Sequence, residues 1–156
     1  MSSFKPSGPQ GGPADGGAGG GPERAVLSVL MVDDQPANLL ALEATLESPE
    51  LELVRARSCD EALRAALGRD FALILLDVQM PGADGFETAQ LLKQRPALRS
   101  TPIFFLSAEP PTAAELERVR EMGGLDFLVK PLDPDELRTK VKAVLASHRQ
   151  RGAKGT

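Results

Sequence analysis

Five short apolar runs alternate with five segments of helical spacing between Ala25 and Arg149, and few folds accommodate that rhythm. The runs "AVLSVLMV" (25–32), "LELVRA" (51–56), "FALILLD" (71–77), "PIFFLS" (102–107) and "LDFLV" (125–129) read as strands. Between the first two, "PANLLALEATLE" (36–47) sets Leu39, Leu42 and Leu46 on one helical face, with Pro36 suited to a first turn. "SCDEALRAAL" (58–67) opens with Ser58 and Glu61 three apart, a capping-box signature, and Gly68 ends it. "DGFETAQLLKQ" (84–94) is predicted as a helix that stops before Pro96. "TAAELERVREM" (112–122) spaces Ala113, Leu116 and Val119 by three and breaks at Gly123-Gly124. "DPDELRTKVKAVLASHR" (133–149) carries Leu137, Val141, Val144 and Leu145 on one face, with Asp133 as its N-cap.

Strands and helices alternating every 20–25 residues predict βαβ crossovers and a parallel sheet covered on both faces. The most apolar run, 71–77, belongs at the centre of that sheet, whereas Glu52 and Arg55 push 51–56 toward an edge. A flavodoxin-like, doubly wound α/β sheet of five strands and five helices fits best. Periodicity alone leaves the strand order open.

The chain has 156 residues, 42% of them hydrophobic, enough for one globular domain and too few for two. That domain is expected over 25–149. Residues 1–24, dominated by Gly, Pro and Ala, cannot bury enough apolar surface to offset their ordering entropy and are expected to form a disordered tail. Residues 150–156, "RGAKGT" after Gln150, are expected to form a flexible C-terminal tail. The net charge of −4, with no face rich in Lys and Arg, gives nucleic-acid binding no electrostatic footprint. No apolar run approaches the eighteen or so residues of a membrane span, and the N-terminus lacks the apolar core of a secretory signal. The single cysteine, Cys59, excludes an internal disulfide. A cytoplasmic protein is expected.

In open parallel sheets, ligands bind outside the carboxyl ends of the strands. The residues found there are Asp33 and Asp34 after the first strand, Asp77 at the end of the third, Ser107 at the end of the fourth and Lys130 after the fifth. Three carboxylates gathered at one edge repel one another unless cations neutralise them. Lys130 supplies one positive charge, and a hard divalent ion such as Mg²⁺ suits an all-oxygen donor set. No His or Cys joins the set, which argues against zinc. A metal, a lysine and a hydroxyl together suit a phosphoryl group. Each residue also has a plainer role: Asp33 and Asp34 as caps of the next helix, Asp77 and Ser107 as turn residues, Lys130 as a solvated loop lysine. Their conjunction on one edge favours the site.

The segments "LMVDDQPANLLALEATLE", "LILLDVQMPGADGFETAQLLK", "PIFFLSA" and "LDFLVKPLDPDELRTKVKAVL", in this order and spacing, resemble the response-regulator receiver domain of two-component signalling. The resemblance covers about residues 26–148 and implies the strand order 2-1-3-4-5. It further implies Asp77 as phosphoacceptor, and Asp33, Asp34, Asp77 and the Gln79 backbone carbonyl as ligands of Mg²⁺, with Mn²⁺ as a substitute. Ser107 stands at the family's Ser/Thr switch position, Phe127 at its aromatic switch position and Lys130 at its invariant lysine. The Lys130–Pro131 peptide is often cis in such domains. The donor implied is a phosphohistidine on a histidine kinase or a histidine phosphotransfer protein. The output implied is a protein partner, met through the face of the fourth helix, fifth strand and last helix, with phosphorylation-dependent dimerisation left open. Gln79 and Glu109, beside the site, are candidates to tune hydrolysis of the acyl phosphate. Dedicated aspartyl phosphatases often place a second acid two residues after the nucleophile; Gln79 stands there instead, so the chain is not expected to be an enzyme. A phosphorylation-independent binding module and the receiver part of a longer hybrid kinase or regulator are the alternatives. His148 is read as a peripheral packing residue, not a relay histidine, and Cys59 as an ordinary first-turn residue.

Overall fold

The computed structural model describes the backbone of residues 25–124 and 126–155, and side chains as far as Gln150. The Gly/Pro-rich segment 1–24 lies outside the described residues. In chain order the elements are β1 (Leu27–Val32), α1 (Pro36–Leu46), β2 (Leu51–Ala56), α2 (Cys59–Ala65), β3 (Leu73–Asp77), α3 (Gly85–Lys93), β4 (Ile103–Ser107), α4 (Ala113–Glu121), β5 (Asp126–Val129) and α5 (Pro134–Gly155). A single 3-10 turn at Pro96–Leu98, absent from the periodicity, bridges α3 and β4. All strand pairs are parallel, in the order β2-β1-β3-β4-β5. The flavodoxin-like fold expected from the alternation is therefore observed, with the strand order that the resemblance implied.

Side chains alternate across the sheet and divide into two cores. Leu30, Val32, Ile74, Leu76, Ile103 and Phe105 face α2 and α3, while Val29, Met31, Leu73, Leu75, Phe104 and Leu106 face α1 and α5. β3 is central, and all five of its residues are buried. Burying each of Leu73, Ile74, Leu75 and Leu76 contributes about 1.5–3 kcal/mol. That surplus lets the strand end on a carboxylate that is itself buried. β2 is one of the two outer strands, and its charges are paired sideways: Arg55 with Glu43 of α1, Glu52 with Arg69.

Caps close the helices at the edge where the site lies. Asp84 and Glu87 form a reciprocal capping box on α3, and Thr112 and Glu115 form one on α4. Asp133 accepts the Asp135 and Glu136 amides at the start of α5. The box expected at Ser58 is only half formed. Its hydroxyl accepts the Glu61 amide, but the Glu61 carboxylate takes the N–H of Arg57, one residue further back.

Two features go beyond what the periodicity specified. Ala113, Leu116 and Val119 share helical spacing, yet only Val119 is buried; Leu116 is 42% exposed. Spacing tells which residues share a face, not whether a neighbour covers it, and the adjoining edge strand β5 has just four residues. The last helix also continues through Gly155 instead of ending at Arg149, so the backbone of 150–155 extends α5 where a tail was expected. His148 is half-buried near the end of this helix, and Cys59 is a half-buried first residue of α2.

Candidate functional site

Parallel strands deliver their carboxyl ends to one edge, and the polar residues that follow them converge there. Asp33 extends β1 by one residue through its N–H to the Ala56 carbonyl (3.0 Å) and is fully buried. Its Oδ1 accepts the Gln35 amide at 3.0 Å, and its Oδ2 accepts from Lys130 Nζ at 3.1 Å. Asp77 closes β3, also buried, with its Oδ1 accepting the Gln79 amide at 3.2 Å and its Oδ2 3.7 Å from Lys130 Nζ. Asp34 is half-buried beside them, and one oxygen from each of the three aspartates lies within 4.8 Å of the others. Lys130 follows β5, where its N–H donates to the Ser107 carbonyl at 2.7 Å, and its peptide with Pro131 is cis.

Asp33 does not cap α1. That helix has Gln35 at its N-cap, with no side-chain hydrogen bond, and the carboxylate serves the lysine instead. Ser107 is buried at the end of β4, its Oγ accepting the Glu109 amide at 3.2 Å. Phe127 is half-buried, packed on the α2–α3 side of the sheet and paired in register with Phe105. The side chains of Gln79 and Glu109 are exposed. Three aspartates and Lys130 thus form the cluster, with Gln79 reaching it through its backbone N–H, while Phe127 stands apart from the carboxylates.

The charges explain what the cluster can hold. Burial pushes the Asp77 carboxyl from the ordinary 3.8 up to about 6. The negative charge of Asp33, and less strongly that of Asp34, adds to this, and Lys130 and the Gln79 amide oppose it. Three carboxylates around one ammonium leave a deficit of positive charge in a buried place. The donors are all oxygens, with neither imidazole nor thiolate among them. Such a set fits a hard divalent cation, Mg²⁺ or Mn²⁺. Beside Asp33 and Lys130, a pocket of about 330 Å³ opens between α1 and α5, lined by Asn38, Ala41, Pro131 and Leu132 among others.

Gly85 was not singled out by sequence reasoning, and the structure sets it against the site. A Cβ at this position would lie 2.4 Å from the Asp77 carbonyl oxygen. The signal in the sequence was slight: a glycine in a first helical turn, where most other residues are better helix formers.

The chain is thus a doubly wound α/β module whose carboxyl edge, where such sheets bind ligands, gathers three aspartates, two of them paired with one lysine. The chain belongs to the response regulator receiver domain family, whose family model matches residues 29–142. It is similar to Response regulator PleD of Caulobacter vibrioides, 38% identical over 134 residues, or 81% of this chain and 29% of that protein. It is also similar to Signal transduction histidine-protein kinase BarA of Shigella flexneri, 34% identical over 114 residues, or 73% of this chain and 12% of that one. The chain thus spans a minor part of both curated relatives. Among solved structures, the chemotaxis protein CheY4 of Vibrio cholerae superposes with a TM-score of 0.72 at 30% identity, covering 77% of this chain and 99% of that one.

Proposed function

We propose that Asp77 is the residue phosphorylated in this receiver domain, with a phosphohistidine on a histidine kinase or histidine phosphotransfer protein as donor. An Asp77 oxygen attacks phosphorus, the P–N bond breaks, and the imidazole leaves carrying the electron pair. The observation that carries the reading is the convergence of the Asp33, Asp34 and Asp77 carboxylates within 4.8 Å, with Lys130 bridging Asp33 and Asp77. Asp33 and Asp34, with Asp77 and the Gln79 carbonyl, would hold Mg²⁺, which when bound supplies positive charge to the transferring phosphoryl oxygens. Lys130 holds Asp33 in place and adds its own charge on the opposite flank. Ser107, whose Oγ accepts the Glu109 amide, keeps its hydroxyl proton free to donate to a phosphoryl oxygen.

Phosphorylation adds charge and acceptor oxygens at one point. Movement of Ser107 toward them would open space for Phe127 to turn inward and repack the face of α4, β5 and α5. A downstream protein, or a second copy of the chain, would read that face. Gln79 has no acidic proton to give, so the chain acts as phosphoacceptor and not as a dedicated hydrolase. Gln79 and Glu109 would set how long the acyl phosphate lasts. Among the described residues no helix is long and apolar enough to cross a membrane, and the reading assigns the domain to the cytoplasm.

The test is incubation with Mg²⁺ and acetyl phosphate followed by intact mass measurement. One added phosphoryl group, lost in Asp77→Asn, is expected. A folded wild-type protein that takes up none would favour a phosphorylation-independent binding module.

A further inference from the structure

We infer that Gly85 is a positioning residue for Asp77: by lacking a side chain, it sets where the Asp77 carboxylate stands relative to Asp33, Asp34 and Lys130. The inference rests on Asp77 as the phosphoacceptor. A Cβ on Gly85 would meet the Asp77 carbonyl oxygen at 2.4 Å, the Val78 Cα at 2.7 Å and the Asp77 carbonyl carbon at 3.0 Å. All three are backbone atoms, and none can rotate away. The Gly85 N–H meanwhile donates to the Val78 carbonyl at 2.9 Å, so the first turn of α3 is both pressed against and bonded to the chain that presents Asp77.

Adding a methyl group there forces one side to yield. The helix is anchored: Phe86, Thr88, Ala89 and Leu92 are buried. The Phe86 ring stacks on Phe105 at 5.2 Å between centroids, and the Arg118 guanidinium lies 4.5 Å from its centroid. On the other side, β3 ends at Asp77, and past it the Val78 N–H to the Leu106 carbonyl at 2.8 Å is the last bond to β4, so the displacement falls there. Ordinary contact begins near 3.4 Å, which puts the displacement at about 1 Å. A misplacement of about 1 Å at a reacting group costs about a hundredfold in rate, and disturbing groups that orient metal ligands costs about 10–100-fold in affinity.

The test compares Gly85→Ala with Gly124→Ala. A Cβ at 124 would meet Val119 Cγ1 at 2.6 Å and Phe105 Cε2 at 2.9 Å, crowding the same core without touching the carboxylates. Urea unfolding, Mg²⁺ titration calorimetry and the rate of phosphorylation by acetyl phosphate are measured on all three proteins. Both variants should be less stable than wild type. Gly85→Ala alone should bind Mg²⁺ at least about tenfold more weakly and be phosphorylated about a hundredfold more slowly. Wild-type values in Gly85→Ala, or equal losses in both variants, would overturn the inference. If Gly85→Ala does not fold, Phe86→Leu loosens α3 from the other side; several-fold weaker Mg²⁺ binding is expected, and wild-type affinity overturns the inference. Should the wild type itself accept no phosphoryl group, the phosphoacceptor reading fails, and the Mg²⁺ comparison still decides whether Gly85 positions Asp77.

Discussion

Replacing Asp77 with Asn should make the metal-free protein more stable at neutral pH, because the native carboxylate is held where it costs folding free energy. Its carboxyl titrates near 6 in the folded protein against an ordinary 3.8, chiefly through burial and the charge of Asp33. At about 1.4 kcal/mol per pH unit, keeping it ionised costs the folded state about 3 kcal/mol at pH 7.5. The sign follows from proton binding. Below pH 3.8 the carboxyl is neutral folded or unfolded, and the cost vanishes. Between 3.8 and about 6 only the unfolded chain releases the proton, so stability falls as pH rises; above about 6 the loss is constant. Asn keeps the shape and an oxygen to accept the Gln79 amide. In urea, Asp77→Asn should gain about 3 kcal/mol at pH 7.5, or about 1.5 M in midpoint for a slope near 2 kcal/mol per molar. At pH 4.5 the gain should shrink to about 1 kcal/mol. Mg²⁺ at about ten times its dissociation constant should return about 1.4 kcal/mol to the wild type alone, closing roughly half the gap. No gain at pH 7.5, or a gain independent of pH, would refute the electrostatic account of the site.

Three further outcomes are expected. Lys130→Met leaves Asp33 buried without its 3.1 Å partner and should destabilise the metal-free protein by about 3 kcal/mol, measured by urea unfolding, while raising the Asp77 pKa further in an NMR titration. Thr112→Ala removes the hydroxyl that accepts the Glu115 amide and should cost about 1 kcal/mol in the same unfolding assay, with Mg²⁺ affinity unchanged. Exchanging Gln79 or Glu109 should change the half-life of the phosphorylated protein, followed by intact mass, and leave stability within about 0.5 kcal/mol, since both side chains are exposed. An unchanged half-life would remove both from any role in hydrolysis.

Much of the site was legible in the linear chain because a parallel sheet obeys a simple rule: whatever follows a strand's carboxyl end lies at one edge. Asp33, Asp34, Asp77, Ser107 and Lys130 were legible on that ground, and the family resemblance assigned their roles. Their partners were not. That Asp33 shares Lys130 with Asp77 instead of capping α1 depends on a contact across 97 residues of chain, which no local pattern encodes. Gly85 escaped notice for the same reason, since its importance lies in what it touches.

By itself the sequence determined the five strands, the five α-helices and their order along the chain, the central place of 71–77 and the outer place of 51–56. These follow from local periodicity, caps and the polarity of each run, properties of neighbouring residues. Only the tertiary structure decided that Leu116 stays exposed while Val119 is covered, that α5 carries on to Gly155, and how closely the three carboxylates stand. Those depend on which surfaces meet, and on how far burial and neighbouring charge shift a proton equilibrium, both set by distances through space.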